Sequence, residues 1–220
     1  MGNLTMPRYM SASASLNSVG TFIVGGFDSE ILGGDTTDFL AAGSMQWQQG
    51  PPLPALMNSP CAVTITDTSF LVIEDDSIHE FDSAIAGPTS REGWREAGRW
   101  PRLKTRRRNQ AGCAKLGRKV IIAGGYKTAS TEVLDLDTRQ ITSGGDMSTP
   151  RYHFHLATIG RAGLEKVFAI AGMDGSYEQL NTVEEWDEEN STWKPSDDNL
   201  PKKKAELGAV AVPEQLICPS

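Results

Sequence analysis

The amino-acid sequence predicts an all-β chain of four repeated units with four short strands each, and three observations carry that prediction. An apolar run ends at a glycine pair at Gly25, Gly124 and, with alanine first, Ala171. Glu74 holds the equivalent place in "FLVIEDD", so the marker recurs at intervals of 49, 50 and 47 residues. Other markers keep the same order and beat around it. The alternating or apolar segments between turn residues are of strand length, about 4 to 6 residues.

Each unit opens on a polar or basic turn: "MPRYMSAS" with Arg8, "LMNSPCAV" with Met57, "RRRNQAGC" with Arg107 and "TPRYHFHL" with Arg151. Strand A follows, then strand B, which ends at the glycine pair. Glycine reaches positive φ without a Cβ clash, so the pair reads as punctuation where strand B leaves sharply for strand C. It is not a phosphate loop, because "GGFDSE" lacks the lysine and the helix such a loop requires. Strand C is a short alternating run marked by Asp38, His79, Glu132 and Glu184, and a bulky apolar residue closes strand D at Trp47, Trp94, Ile141 and Trp193. In the first unit the four strands are placed near 10–17, 21–26, 36–41 and 45–49.

This ordered series resembles the kelch repeat over about residues 5 to 215. The resemblance implies a kelch-type β-propeller with four four-stranded blades and a partial fifth, incomplete or open. The units are approximately 5–54, 55–103, 104–147 and 148–201, with the partial unit at 202–220. Small residues suit the crowded inner strand, as in "SASAS" (11–15) and "GAVAV" (208–212), and the tryptophans suit the roomy outer one. The second unit is the most degenerate: it lacks the glycines and carries the insertion "AIAGPTSREGW".

At 220 residues and 39% hydrophobic the chain can bury a core, and no run approaches the ~18 apolar residues of a membrane helix. Its net charge of −7 argues against nonspecific nucleic-acid binding. No export or membrane signal is read at the start, so the expected location is cytoplasmic. Cys61, Cys113 and Cys218 are far apart in sequence and are expected as reduced thiols. His153 and His155 have metal-friendly spacing on a strand but no visible third ligand, so no metal and no cofactor is expected.

For function, the resemblance implies that the arginine ahead of strand A and the B-to-C loops line a pocket. The binding candidates are Arg8, Arg107, Arg151, Tyr126, Tyr177 and Phe27, with Asp28, Ser29, Lys127, Asp174 and Ser176 in the same loops. Converging arginines would suit carboxylates, hence an acidic protein or peptide partner. The competing role for these arginines is to fasten neighbouring blades. A basic crowd at Arg95, Arg99, Arg102, Lys104, Arg106, Arg107 and Arg108 stands out in an acidic chain. The expected function is a non-enzymatic protein-interaction module and adaptor, as in substrate recognition for a ubiquitin ligase or cytoskeletal binding. Alternatives are a propeller enzyme (oxidase, sugar isomerase or sialidase-like) or a fragment without independent function. Open blade edges would also permit self-association.

Overall fold

The structure is a computed structural model that describes residues 2–27, 34–108, 110–160 and 163–209. Fifteen strands form four antiparallel sheets. The first sheet runs β1 (Ala12–Leu16), β2 (Gly20–Val24), β3 (Thr37–Ala41) and β4 (Trp47–Gln49). The second holds β5 (Cys61–Thr64), β6 (Ser69–Glu74) and β7 (Ser77–Asp82). The third is β8 (Gly112–Leu116), β9 (Lys119–Ala123), β10 (Thr131–Asp135) and β11 (Ile141–Gly144). The fourth is β12 (His155–Ile159), β13 (Lys166–Ile170), β14 (Val183–Asp187) and β15 (Thr192–Pro195). Within each sheet sequence neighbours are spatial neighbours, so every sheet is a meander and reads as one blade.

The core lies between blades rather than inside any one of them. Phe22, Val24 and Phe39 of the first blade meet Phe70, Val72 and Phe81 of the second. Leu71, Ile73 and Ile78 meet Val120, Ile122 and Leu134 at the next joint. Ile121, Ala123 and Val133 meet Val167, Ala169, Trp186 and Trp193 at the last. The inner strands pack in the open series β1, β5, β8, β12. A single sheet buries one face at each joint, so the middle blades are apolar on both faces, while β13 and β14 alternate.

The second blade departs from the four-strand expectation. After β7 the chain turns into a single helical turn, Ser83–Ala86, capped by Asp82 and ended by Gly87 at φ 85. It then passes a 3-10 turn at Arg91–Gly93. The fourth strand is reduced to one bridge, Phe81 to Trp94. The insertion uses the length a strand D would need, and Trp94 packs edge-on against Phe70 and Phe81 instead. Of the closing residues, Trp193 is buried and donates Nε1–H to Thr131 Oγ1 across the joint, whereas Trp47 and Trp94 are half-buried.

The cysteine expectation is corrected as well. Cys61 on β5 and Cys113 on β8 form a disulfide with Cα atoms 5.9 Å apart, although 52 residues separate them in sequence. The repeat itself brings them together, because one period carries the chain from one inner strand to the next. A crosslink closing a loop of that length removes about 4 kcal/mol of unfolded-state entropy in the chain-entropy account. Cys218 and most of the "GAVAV" segment lie outside the described residues. Of the partial fifth unit, Lys204 bridges to Leu180 beside the fourth blade. No helix among the described residues is long and apolar enough to cross a membrane.

The glycine pairs sit where strand B ends, and each has a reason in contacts. Gly25 and Gly26 have φ 64 and 87, and Gly124 and Gly125 have φ 68 and 113. The second glycine of each pair reaches the next blade: Gly26 N–H donates to Met57 O at 3.0 Å, and Gly125 N–H to Arg151 O at 2.9 Å. A Cβ on Gly124 would stand 2.5 Å from Arg151 O. Gly124→Ala is therefore expected to lower stability by at least about 1–3 kcal/mol through backbone strain, read as a reduced melting temperature. An unchanged melting temperature would contradict this account of the pair.

Candidate binding surface

The three arginines ahead of strand A are built alike. Arg8 Nη1 donates to the carbonyls of Gly25 (2.8 Å) and Thr36 (3.1 Å), and its Nη2 pairs with Asp38 Oδ2 at 2.6 Å. Arg107 does the same with Gly124, Ser130 and Glu132, and Arg151 with Ala171, Thr182 and Glu184. Each guanidinium thus closes the two ends of its own B-to-C loop onto the strand C acid. The carboxylates are held from the other side by backbone N–H groups, those of Thr5, of Lys104 and Thr105, and of Ser148.

This geometry places the side chains of Arg8, Arg107 and Arg151 inside their blades. Their side chains are 4%, 1% and 0% exposed, and their charges are matched by acids that are just as buried. Burial pulls the guanidinium of Arg107 below its ordinary value, against the raising effect of Glu132, and Arg151 responds likewise beside Glu184. A buried, paired guanidinium offers no positive potential to a partner. The bonds also stay within a blade, so these residues do not tie neighbouring blades through their side chains.

The second blade is the exception that explains the rule. Its registers align His79 with Asp38, Glu132 and Glu184, and Met57 stands where the others have arginine. Both members of the ion pair are absent together, as they must be, since one buried charge without the other would be costly. The arginine is dispensable there because Glu74 pairs directly with Ser77 across a two-residue turn. No long loop leaves carbonyls open.

The basic crowd is also largely neutralised. Arg95 pairs with Asp82, Arg99 with Glu80, Arg102 with Asp76 and Arg106 with Asp75. Among the described residues no group of three or more His, Cys, Asp or Glu side chains is arranged to hold a metal ion. His153 lies ahead of β12, with Nδ1 facing Gln110 Oε1 at 3.2 Å, and His155 begins the strand.

The aromatic candidates separate into two groups. Tyr126 and Tyr177, from the B-to-C loops of the third and fourth blades, meet through their hydroxyls at 2.7 Å. Tyr152 lies edge-on to both rings, at 5.3 and 6.4 Å between centroids. Tyr177 is 64% exposed, Tyr126 is half-buried, and Tyr152 is buried with a hydroxyl that has no partner among the described residues. The shared hydrogen bond draws the Tyr126 phenol below its ordinary value and raises Tyr177; burial raises Tyr152. The exposed Lys127 ammonium lies 5.1 Å from the Tyr126 centroid. Phe27 instead stacks on Tyr9 of its own blade at 5.4 Å. Asp174 caps its own loop by accepting from Ser176 and Glu178 N–H, while Asp28 and Ser29 lie outside the described residues.

Between the inner strands opens a cleft of about 430 Å3, lined among others by Tyr9, Met10, Cys61, Cys113, His155 and Leu207. Tyr9 and Tyr152 were not among the expected site residues. The signal for them was the repeated "PRY" at 7–9 and 150–152: the residue after each arginine bridges to the residue after the glycine pair, Tyr9 to Phe27 and Tyr152 to Met173.

With this geometry in view, a family model described as the Kelch motif matches residues 162–196, the stretch that carries β13, β14 and β15 of the fourth blade. No curated protein matches the chain. The match supports the kelch-repeat family, and the four meander sheets agree with a kelch-type propeller that is not closed among the described residues. Kelch repeats generally serve protein–protein binding.

The histidines set a pH dependence. Burial pulls His79, His153 and His155 below the ordinary 6.5, with Arg102 adding to the effect at His79 and Glu206 opposing it at His153. Each binds a proton more readily unfolded than folded, so their stabilisation is complete above about pH 6.5 and is lost as pH falls below it. Glu74, raised by burial, acts in the opposite sense nearer its ordinary 4.5. The melting temperature should fall from about pH 7.5 to about pH 5.5, and fall less in His155→Gln. A flat profile over that window would contradict the burial of these rings.

Proposed function

We propose that the chain is a non-enzymatic recognition module that holds a protein or peptide partner against the tyrosine rim of its third and fourth blades. The observation that carries this reading is the hydrogen-bonded Tyr126–Tyr177 pair at the surface, beside a buried Tyr152 whose hydroxyl has no partner among the described residues. Tyrosine rings give large rigid contact area with polar tips, the usual chemistry of an interface anchor. The partner's matching groups are hydrogen-bond acceptors, carboxylates among them, with Lys127 as the nearby cation. Arg8, Arg107 and Arg151 belong to the scaffold in this reading, and Phe27 forms a separate stack with Tyr9, which lines the central cleft. Substrate recognition for a ubiquitin ligase or cytoskeletal binding, in the cytoplasm, are the settings the kelch resemblance suggests.

A second reading is self-association through the outer face of the fourth blade. There Phe168, Ile170 and Val183 share one sheet face and stay half-buried, and Ile159 is 42% exposed, where the third blade is covered. Light scattering on a size-exclusion column separates the two readings, since a monomer at all concentrations removes this one.

A displayed random-peptide library selected on the immobilised protein tests the first reading. Enriched peptides should bind the Tyr126→Ala/Tyr177→Ala variant at least about 30-fold more weakly, the effect of losing one interface hot spot. The variant should melt close to the parent, because both side chains lie in loops outside the interblade cores. Equal binding by a folded variant would overturn the assignment.

A further inference from the structure

The inner strands meet at three joints, and two of them carry the same stitch. Thr64 Oγ1 donates to the carbonyl of Ser15 between β1 and β5 at 2.9 Å, and Thr158 Oγ1 donates to the carbonyl of Lys115 between β8 and β12 at 2.7 Å. The ladder registers place Ser15, Thr64, Lys115 and Thr158 at one equivalent position. The same stitch at the middle joint would need a hydroxyl at 115, where the chain has lysine. That joint is closed by the Cys61–Cys113 disulfide instead.

Both cysteines are half-buried rather than enclosed, and both line the central cleft of about 430 Å3. The disulfide thus sits at the edge of the interblade cluster, packed against it on one side, in two residues that border a cleft large enough for a small organic molecule. A disulfide sealed in a core is inert to exchange, whereas one that borders an accessible cleft can be attacked by a thiolate.

We propose that Cys61–Cys113 is a thiol–disulfide exchange site, a redox-operated clasp between the second and third blades whose co-reactant is a small dithiol. In the opening direction a thiolate of the dithiol attacks one cysteine sulfur, and the S–S bond breaks. The other cysteine leaves as a thiolate and takes up a proton. The dithiol's second thiolate then displaces the first cysteine from the mixed disulfide and leaves as a cyclic disulfide. Two electrons have passed from the dithiol to the protein, which now holds two thiols. An oxidised dithiol reverses every step. Opening removes the only covalent tie among the described blades, while the apolar contacts of Leu71 and Ile73 with Val120 and Ile122 remain. The joint is loosened rather than dissolved, and the cleft that both cysteines line is loosened with it.

The full chain, purified without reductant, is treated with dithiothreitol in native buffer and alkylated, and the peptides carrying Cys61 and Cys113 are read by mass spectrometry. Both should be unlabelled before reduction and labelled after it, without denaturant. The melting temperature should fall on reduction and recover on treatment with oxidised dithiothreitol. The Cys61→Ser/Cys113→Ser variant should melt near the reduced value whether or not dithiothreitol is present. Labelling of both residues in never-reduced protein would overturn the proposal. So would reduction that requires denaturant, or one melting temperature for both redox states.

Discussion

The structure rests on a buried arginine–carboxylate clip repeated in three of its four blades. A blade needs its B-to-C loop to leave the sheet and return, and that excursion turns one carbonyl at each end of the loop inward, the second of them also accepting the N–H of Gly25, Gly124 or Ala171. Arg8, Arg107 and Arg151 satisfy them, and Asp38, Glu132 and Glu184 balance the charge. The acid in turn accepts backbone N–H groups from the turn that leads into the blade. One guanidinium thereby fixes three segments of chain that are far apart in sequence. Buried ion pairs often give little net stability over an apolar replacement, but losing one partner is severe. The clip is therefore best understood as a device that sets geometry, and the glycine pair completes it by carrying a backbone N–H to the next blade.

Much of this was legible as pattern before it was legible as chemistry. The arginines and the strand C acids were both visible as periodic markers, with Met57 and His79 as the second unit's versions. What the sequence did not reveal was that the two markers are the two ends of one interaction. The paired substitution in the second unit is the clue in hindsight, because basic and acidic members vanish together there. The first blade's strands overlap the ranges expected for them, with β2 starting one residue early at Gly20, since glycines, alternation and closing aromatics all act locally.

The parts that were not legible depend on contacts between units. Nothing local to Cys61 or Cys113 announces a disulfide, because their proximity arises only when inner strands of adjacent blades lie side by side. The same holds for the arginines' burial: a basic residue ahead of a strand reads as surface until the loop that covers it is placed. The second blade's missing fourth strand follows from its insertion, whose Asp82 cap and Gly87 stop favour a helical turn over extension. The tyrosine rim was half visible. Tyr126 and Tyr177 come from matching loops, but Tyr152 follows an arginine and joins them only through the bridge to Met173.

The central claim is that Arg151 and Glu184 act as one unit, and a double-mutant cycle measures it directly. Arg151→Met alone leaves Glu184 buried and uncompensated and should cost about 3–5 kcal/mol in denaturant unfolding. Glu184→Gln keeps the acceptor for Ser148 N–H but removes the charge that balances Arg151. The double variant should then be more stable than the sum of the two single losses predicts, by about 1–3 kcal/mol, as expected for partners in contact. Losses that add to within about 0.5 kcal/mol would contradict the clip as the element on which the blades depend.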